Sequence, residues 1–357
     1  MKHGGNVFEI EQKYGFDRRC LLDFSANINP LGVPKLYKKM MMDAFDDLIN
    51  YPDINYFDLK NDIGEKYNLS VENIFVGNGG VQVIFDFIKA INPKKSLVVY
   101  PTFGEYERAI RATGGQVEEF FLKEEEDFQL NAEEIMERIH RDLDLVVLCN
   151  PNNPTGTLTN KSLLENLLKK CRENNVFLMI DEAFMDFVEG AEEYSLLSQV
   201  ETYDNLLITR SFTKFYGIPG LRLGFGVCSH PEIKGQLREH GIPWQVNTFG
   251  SYFGRVLLED GEYEKKTHLW LKEETPRFVE ELKKLALFKV YPPSVNYILL
   301  KLLPSQLDVK GLKERLLVEK ILVRDCSNFK GLSDRFIRIA IKGKQDNDRL
   351  LEVLKRI

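Results

Sequence analysis

From Asn73 onward the chain alternates short apolar runs with amphipathic stretches. Ser96 to Tyr100 reads as a strand, and Leu143 to Cys149, Val176 to Ile180, Leu206 to Arg210 and Gly224 to Cys228 are short apolar runs of the length expected for strands buried on both faces. Between them, Val81 to Ala90 and Glu105 to Thr113 carry helical spacing, and Val76-Gly77-Asn78-Gly79-Gly80 closes a strand and opens a helix. Strands separated by helical stretches predict a parallel α/β sheet.

The ends of the chain read differently. Gly4-Gly5, Asn27-Ile28-Asn29-Pro30 and Gly32-Val33-Pro34 give the first 35 residues or so an irregular, turn-rich pattern. A helix is predicted over Lys35 to Asp47. A long helical region follows Pro243-Trp244-Gln245-Val246-Asn247 and reaches Leu285, with a kink or break expected from Pro276. Strands at Ser294 to Leu302, Ile321 to Arg324 and Phe336 to Ile341, with helices at Val309 to Glu319 and Asn347 to Lys355, predict a smaller C-terminal α/β unit. The expected division is an arm over residues 1–45, a large domain over 46–250 and a small domain over 251–357.

At 357 residues, 43% hydrophobic and 29% charged, the chain suits an ordinary globular fold with a sizeable core. Its net charge of −6 supplies no general attraction for nucleic acid or an anionic membrane, so an anionic ligand has to meet a local cluster of cations. Five scattered cysteines without a C-x-x-C pair predict reduced thiols and a cytoplasmic setting. The N-terminus lacks an apolar signal core, no stretch approaches the ~18 apolar residues of a membrane span, and no metal site is expected.

Thr209 to Gly224 carries the densest chemistry. Lys214 follows a buried strand, Ser211 and Thr213 flank it, and Arg222 lies eight positions on. Hydroxyls and a guanidinium suit a phosphate, and a lysine amine suits a Schiff base with a carbonyl. Leu178 to Phe184 ends an apolar run in Asp181 and Glu182, where Asp181 suits either a helix cap or a partner for a pyridinium nitrogen. Cys149-Asn150-Pro151-Asn152-Asn153-Pro154-Thr155-Gly156 is a turn able to fix a side-chain amide, and the glycines after Val76 open an anion site at a helix start.

In this order and spacing the four motifs resemble the fold-type I pyridoxal phosphate enzymes, the aspartate aminotransferase superfamily, over nearly the whole chain. The resemblance implies a large domain with a mostly parallel central sheet plus a small C-terminal domain. It makes Lys214 the lysine that bonds the cofactor, Asp181 the pyridine-nitrogen partner and Asn153 the donor to the ring oxygen. Gly79, Gly80, Ser211, Thr213 and Arg222 become phosphate ligands, and Phe103 stacks on the ring. Tyr51 becomes the tyrosine that reaches a partner subunit's cofactor, which implies a homodimer with shared sites. Two departures stand out. Phe184 replaces a tyrosine common in relatives, and Gly80-Val81-Gln82 lacks the acidic or hydroxyl residue often found after the glycines.

Within the superfamily, His3-Gly4-Gly5-Asn6, Leu22 to Gly32, Thr213 to Arg222 and Pro243 to Asn247 resemble the subgroup that decarboxylates O-phospho-L-threonine in cobamide biosynthesis. The competing subgroup transaminates histidinol phosphate. A third class, a non-catalytic sensor fused to a regulator, needs a DNA-binding domain for which the arm before Asn50 has no room. The decarboxylase resemblance assigns Arg338 to the substrate carboxylate, Arg324 to its phosphate, and His3, Gly4, Asn27 and Asn153 to the enclosing contacts. For either arginine, lying in an apolar strand-like run, the competing reading is an ion pair with a structural carboxylate. The bond held perpendicular to the cofactor ring is the one that breaks, so orientation chooses between loss of carbon dioxide and loss of a proton.

Overall fold

A computed structural model of the chain describes residues 4–303 and 306–357. Among the described residues, thirteen strands form three sheets. The arm contributes β1 (Leu22–Asp23), and the central strands are β2 (Ile74–Asn78), β3 (Lys95–Tyr100), β4 (Gln116–Phe121), β5 (Leu145–Cys149), β6 (Phe177–Asp181), β7 (Leu206–Ser211) and β8 (Leu223–Cys228). The C-terminal strands are β9 (Phe288–Val290), β10 (Tyr297–Leu302), β11 (Ile321–Leu322), β12 (Arg324–Asp325) and β13 (Phe336–Ala340).

The central sheet has seven strands in the order β2-β8-β7-β6-β5-β3-β4. All run parallel except β8, which pairs antiparallel with both β7 and β2. Every residue of β5, β7 and β8 is buried, as helices on both faces demand, and this is why those strands open or run as apolar stretches, with β7 turning polar at Thr209–Ser211 where it reaches the site. Ligands of such sheets bind beyond the carboxyl ends of the strands. Reversal of β8 places its first residues at that same edge, with Gly224 opposite Ser211 and Leu223 opposite Asn78. One edge of the sheet therefore carries Gly79–Gly80, Arg222, Ser211–Lys214, Asp181, Asn153 and Phe103, six sequence regions in spatial succession.

The small sheet is antiparallel, in the order β12-β13-β10-β9, and packs on the helices Val309–Val318 and Lys344–Leu354. The arm joins this unit through β1, which pairs in parallel with β11. The arm is less irregular than its glycines and prolines suggest, because Val7–Tyr14 forms a helix capped by Asn6 and by Gly15 in the left-handed region. Pro276 does not break its helix, which is continuous from Gly261 to Lys283. The interruptions of the long region lie earlier, between the helices Thr248–Ser251, Gly254–Glu259 and Gly261–Lys283. The helix predicted to Asp47 ends at Asp43 and continues as a tighter turn over Phe45–Ile49.

Candidate active site

A cavity of about 910 Å³ opens where the carboxyl edge of the large sheet meets the arm and the small sheet. Lys214, Asp181, Asn153, Ser211, Gly80, Phe103, Arg222, Gly4, Asn27, Arg324 and Arg338 all line it. Three of the other expected residues stand apart from the wall. Gly79 lies behind Arg222, Thr213 is buried against Ser211, and Tyr51 is 80% exposed with its ring centroid 4.7 Å from that of Trp244. His3 lies outside the described residues.

Lys214 sits on the single turn Phe212–Phe215 that follows β7. Its Nζ donates to Ser211 Oγ at 3.1 Å, and Ser211 Oγ lies 2.8 Å from Thr213 Oγ1. The arm holds this turn from outside: Asn29 N–H donates to the Lys214 carbonyl at 3.0 Å, and Asn29 Nδ2 donates to the Phe215 carbonyl at 2.7 Å. Burial pushes the Lys214 amine below the ordinary lysine range, with Asp181 opposing and Arg222 adding to the shift. A neutral amine is the nucleophilic form, so this environment favours attack on a carbonyl.

Asp181 ends β6 and is held by three donors. Its Oδ1 accepts from Ala183 N–H at 3.0 Å and Thr209 Oγ1 at 3.1 Å, and its Oδ2 accepts from Tyr106 Oη at 2.5 Å. The cap reading is thus too small, because Asp181 is anchored by two neighbouring elements as well as the local turn. Beside it Glu182 is committed elsewhere, bonded to Arg210 Nε at 2.9 Å and to Ser195 Oγ. Tyr106 escaped the sequence reading although it sits three residues after Phe103. The available signal was a polar-tipped side chain on the inward face of the helix Glu105–Ala112, whose hydroxyl needs a buried partner.

The glycines form a cradle that a side chain would fill. Gly79 has φ +79°, and a Cβ there would lie 2.3 Å from Arg222 Nη2. A Cβ at Gly224 would lie 2.4 Å from the Gly80 nitrogen, so β8 approaches the start of the helix Gly80–Ile91 as closely as backbones allow. Backbone N–H groups at a helix start, two hydroxyls and a guanidinium are the donor set that a phosphate requires. Gln82 serves a different purpose, accepting from Asn78 N–H at 3.0 Å and donating to Gln245. Phe184 lines the wall with its ring centroid 5.7 Å from Lys214 Nζ.

Arg324 and Arg338 stand directly opposite one another in the β12–β13 pairing, which puts both side chains on one face of the sheet. They are 7% and 6% exposed. Arg324 Nη1 donates to the Asp325 carbonyl at 2.6 Å and Nη2 to Asn328 Oδ1 at 2.8 Å, while its guanidinium lies 5.0 Å from the Phe329 ring centroid. Arg338 Nη2 donates to the Ser25 carbonyl at 3.0 Å, and Nη1 to Asn153 Oδ1. Among the described residues neither arginine forms an ion pair with a carboxylate. Arg338 Nε and both polar atoms of the Asn27 side chain are buried without a hydrogen-bond partner among those residues. Burial pushes both guanidinium groups below their usual range, and for Arg338 the neighbouring Arg324 adds to the effect. At the mouth, Lys330 Nζ approaches Glu107 Oε2 at 2.8 Å and Glu119 Oε1 at 2.6 Å, joining the small unit to the large sheet.

A seven-stranded sheet of this order, with a lysine, an aspartate and a glycine cradle on its carboxyl edge, defines a cofactor-dependent transferase fold. The chain belongs to the aminotransferase class I and II family, which matches residues 19–357, and these are pyridoxal phosphate enzymes. The glycine cradle, the buried lysine and the triply anchored aspartate fit that cofactor. Over 355 residues the chain is 38% identical to the threonine-phosphate decarboxylase of Salmonella typhimurium, an alignment covering 99% of this chain and 96% of that protein. The crystal structure of the histidinol-phosphate aminotransferase from Clostridium acetobutylicum is similar with a TM-score of 0.86 and 34% identity, covering 93% of this chain and 98% of that one. That of L-threonine-O-3-phosphate decarboxylase from Porphyromonas gingivalis is similar with a TM-score of 0.82 and 25% identity, again covering 93% and 98%. Among the described residues, no helix is long and apolar enough to cross a membrane.

Proposed function

We propose that the chain decarboxylates O-phospho-L-threonine to 1-amino-2-propanol O-phosphate, the linker of the cobamide nucleotide loop. The observation that carries this reading is the pair Arg324 and Arg338, two buried cations on one face of the cavity wall without carboxylate partners among the described residues. Two neighbouring cations desolvated in this way await a ligand with two anionic ends. The likeness to the Salmonella decarboxylase along the whole chain favours carbon dioxide release over transamination.

Pyridoxal phosphate, when bound, supplies an electron sink conjugated to the substrate α-carbon. Ser211, Thr213, Arg222 and the glycine backbone would hold its phosphate, Asp181 its ring nitrogen, Asn153 its ring oxygen, and Phe103 one ring face. Arg338 would grip the α-carboxylate and so orient the α-carbon for loss of carbon dioxide rather than of a proton. Arg324 takes the substrate phosphate and so sets the other end of the molecule. Lys214 Nζ, once it has taken up a proton, would return it to the α-carbon after carbon dioxide leaves, and its lowered hold on that proton favours the transfer. Gly4 and Asn27 close the arm over the substrate and exclude water. We also infer a homodimer of the cytoplasm. The exposed apolar residues Met42, Phe45, Ile49, Tyr51 and Phe57 offer a face for a second copy, and all five cysteines are free, as in a reducing compartment.

The test is incubation with O-phosphothreonine and no keto acid, following carbon dioxide. Many turnovers are expected. Release that requires 2-oxoglutarate, or a single half-reaction, would favour the aminotransferase instead.

A further inference from the structure

The arm segment that forms β1 continues into Phe24, whose carbonyl accepts Ala340 N–H at 2.8 Å, and then into Ser25. Ser25 is buried and uses every polar atom it has. Its N–H and Oγ donate to Asp23 Oδ1 at 2.8 and 2.6 Å, its Oγ accepts the Gly5 N–H at 2.8 Å, and its carbonyl accepts Arg338 Nη2 at 3.0 Å. Gly4 lies against that same carbonyl so closely that a Cβ would sit 2.1 Å from the Ser25 oxygen. One residue therefore touches both the segment covering the cavity and the guanidinium inside it.

We propose that Ser25 is a positioning residue that couples docking of the Gly4–Gly5 segment to the orientation of Arg338. The coupling rests on the reading of Arg338 as the holder of the substrate carboxylate. Arg338 Nη1 is bonded to Asn153, so the Ser25 carbonyl is the contact that fixes the opposite edge of the guanidinium. With that edge fixed, the guanidinium holds one orientation in the cavity wall, and its Nε stays buried without a hydrogen-bond partner among the described residues. Coupling of this kind is reciprocal: a carboxylate that draws Arg338 into place firms the Ser25 carbonyl and the glycines packed on it, and a docked arm presents a pre-oriented Arg338 to the next substrate. The Ser25 hydroxyl serves as the hinge pin, donating inward to Asp23 and accepting outward from Gly5.

Ser25→Ala removes the hydroxyl and leaves the carbonyl. The KM for O-phosphothreonine should rise about tenfold, as expected for the loss of one or two buried hydrogen bonds, with kcat changed far less. Amide exchange over residues 4–14 should be faster in the substrate-free holoenzyme, and Ser25→Thr should restore both readings. Gly4→Ala, which cannot pack against the carbonyl, should raise KM similarly, and the double variant should be no worse than either single one. Multiplying effects, or an unchanged exchange rate in Ser25→Ala, would overturn the coupling. Exchange is read without substrate, so wild-type enzyme that releases no carbon dioxide would defeat the proposed function and leave this comparison intact.

Discussion

Arg324→Gln separates a ligand-binding arginine from a structural one, because the two roles predict opposite outcomes in one protein. Each charge-assisted hydrogen bond to a phosphate contributes about 1.5–3 kcal/mol, so its loss should lower kcat/KM for O-phosphothreonine roughly 10- to 150-fold. Stability should respond little. The substitution gives up contacts to the Asp325 carbonyl and Asn328 Oδ1, each worth about 1 kcal/mol, and Gln retains a donor for one of them. Against that loss it removes a buried cation facing Arg338 across the β12–β13 pair, where like charges directly opposite are destabilising. The two nearly cancel, which for a chain of this size means a melting shift of about 2 °C or less. The assay is kcat/KM for O-phosphothreonine alongside the inhibition constant of threonine, with thermal unfolding of the same preparations. Threonine binding should be nearly unaffected. Equal losses for both ligands, or a fall of many degrees in the melting temperature, would refute the reasoning and return Arg324 to the structure.

Two further outcomes follow from the site and its mouth. Lys214→Ala should abolish turnover and the borohydride-reducible mass adduct of the cofactor, and an adduct persisting on another lysine would show that the wrong amine has been assigned. Burial alone would raise the Glu107 carboxyl, yet hydrogen bonds from Lys330, Tyr100 and Arg111 outweigh it and hold the group down to about 2, against 4.5 for a free glutamate. A carboxyl whose folded value is depressed contributes stability that is complete above the free value and lost as pH falls toward the folded one. Glu107→Gln should therefore flatten the acid limb of the stability curve between about pH 4.5 and 2, as read by denaturant unfolding. An unchanged limb would place the acid sensitivity elsewhere.

The elements legible in the sequence are those whose burial leaves no ambiguity. β3, β5, β6, β7 and β8 carry apolar runs because helices cover both faces, with polar residues such as Lys95, Asp181 and Ser211 kept toward the strand ends. β4 escaped because it lies at the sheet edge and carries Glu118 and Glu119, which pair with Lys95 and Lys330 and interrupt the apolar pattern. β9 is only three residues long, too short for a period of two to register. In the site, the residues expected from motifs are those meant to touch a ligand, and the folded chain gathers most of them into one cavity. Ser25, Asn29 and Tyr106 were invisible for a different reason. Each acts through another residue, namely Arg338, the Lys214 turn and Asp181, and a partner 75 to 313 positions away leaves no local trace.

On the proposed roles of Arg324 and Arg338, the register between β12 and β13 makes the cavity a ruler. Side chains return to the same face of a strand only every second residue, a step of roughly 6.6 Å, so the gap between the two guanidinium groups cannot drift by small backbone increments. A homologue that sought a longer or shorter diacid could not obtain it by sliding these strands, since a one-residue slip would turn one arginine out of the cavity altogether. Fine adjustment of ligand length is left to side chains such as Phe329 beneath Arg324 and Tyr297 beneath Arg338, whose rings set how far each cation leans inward.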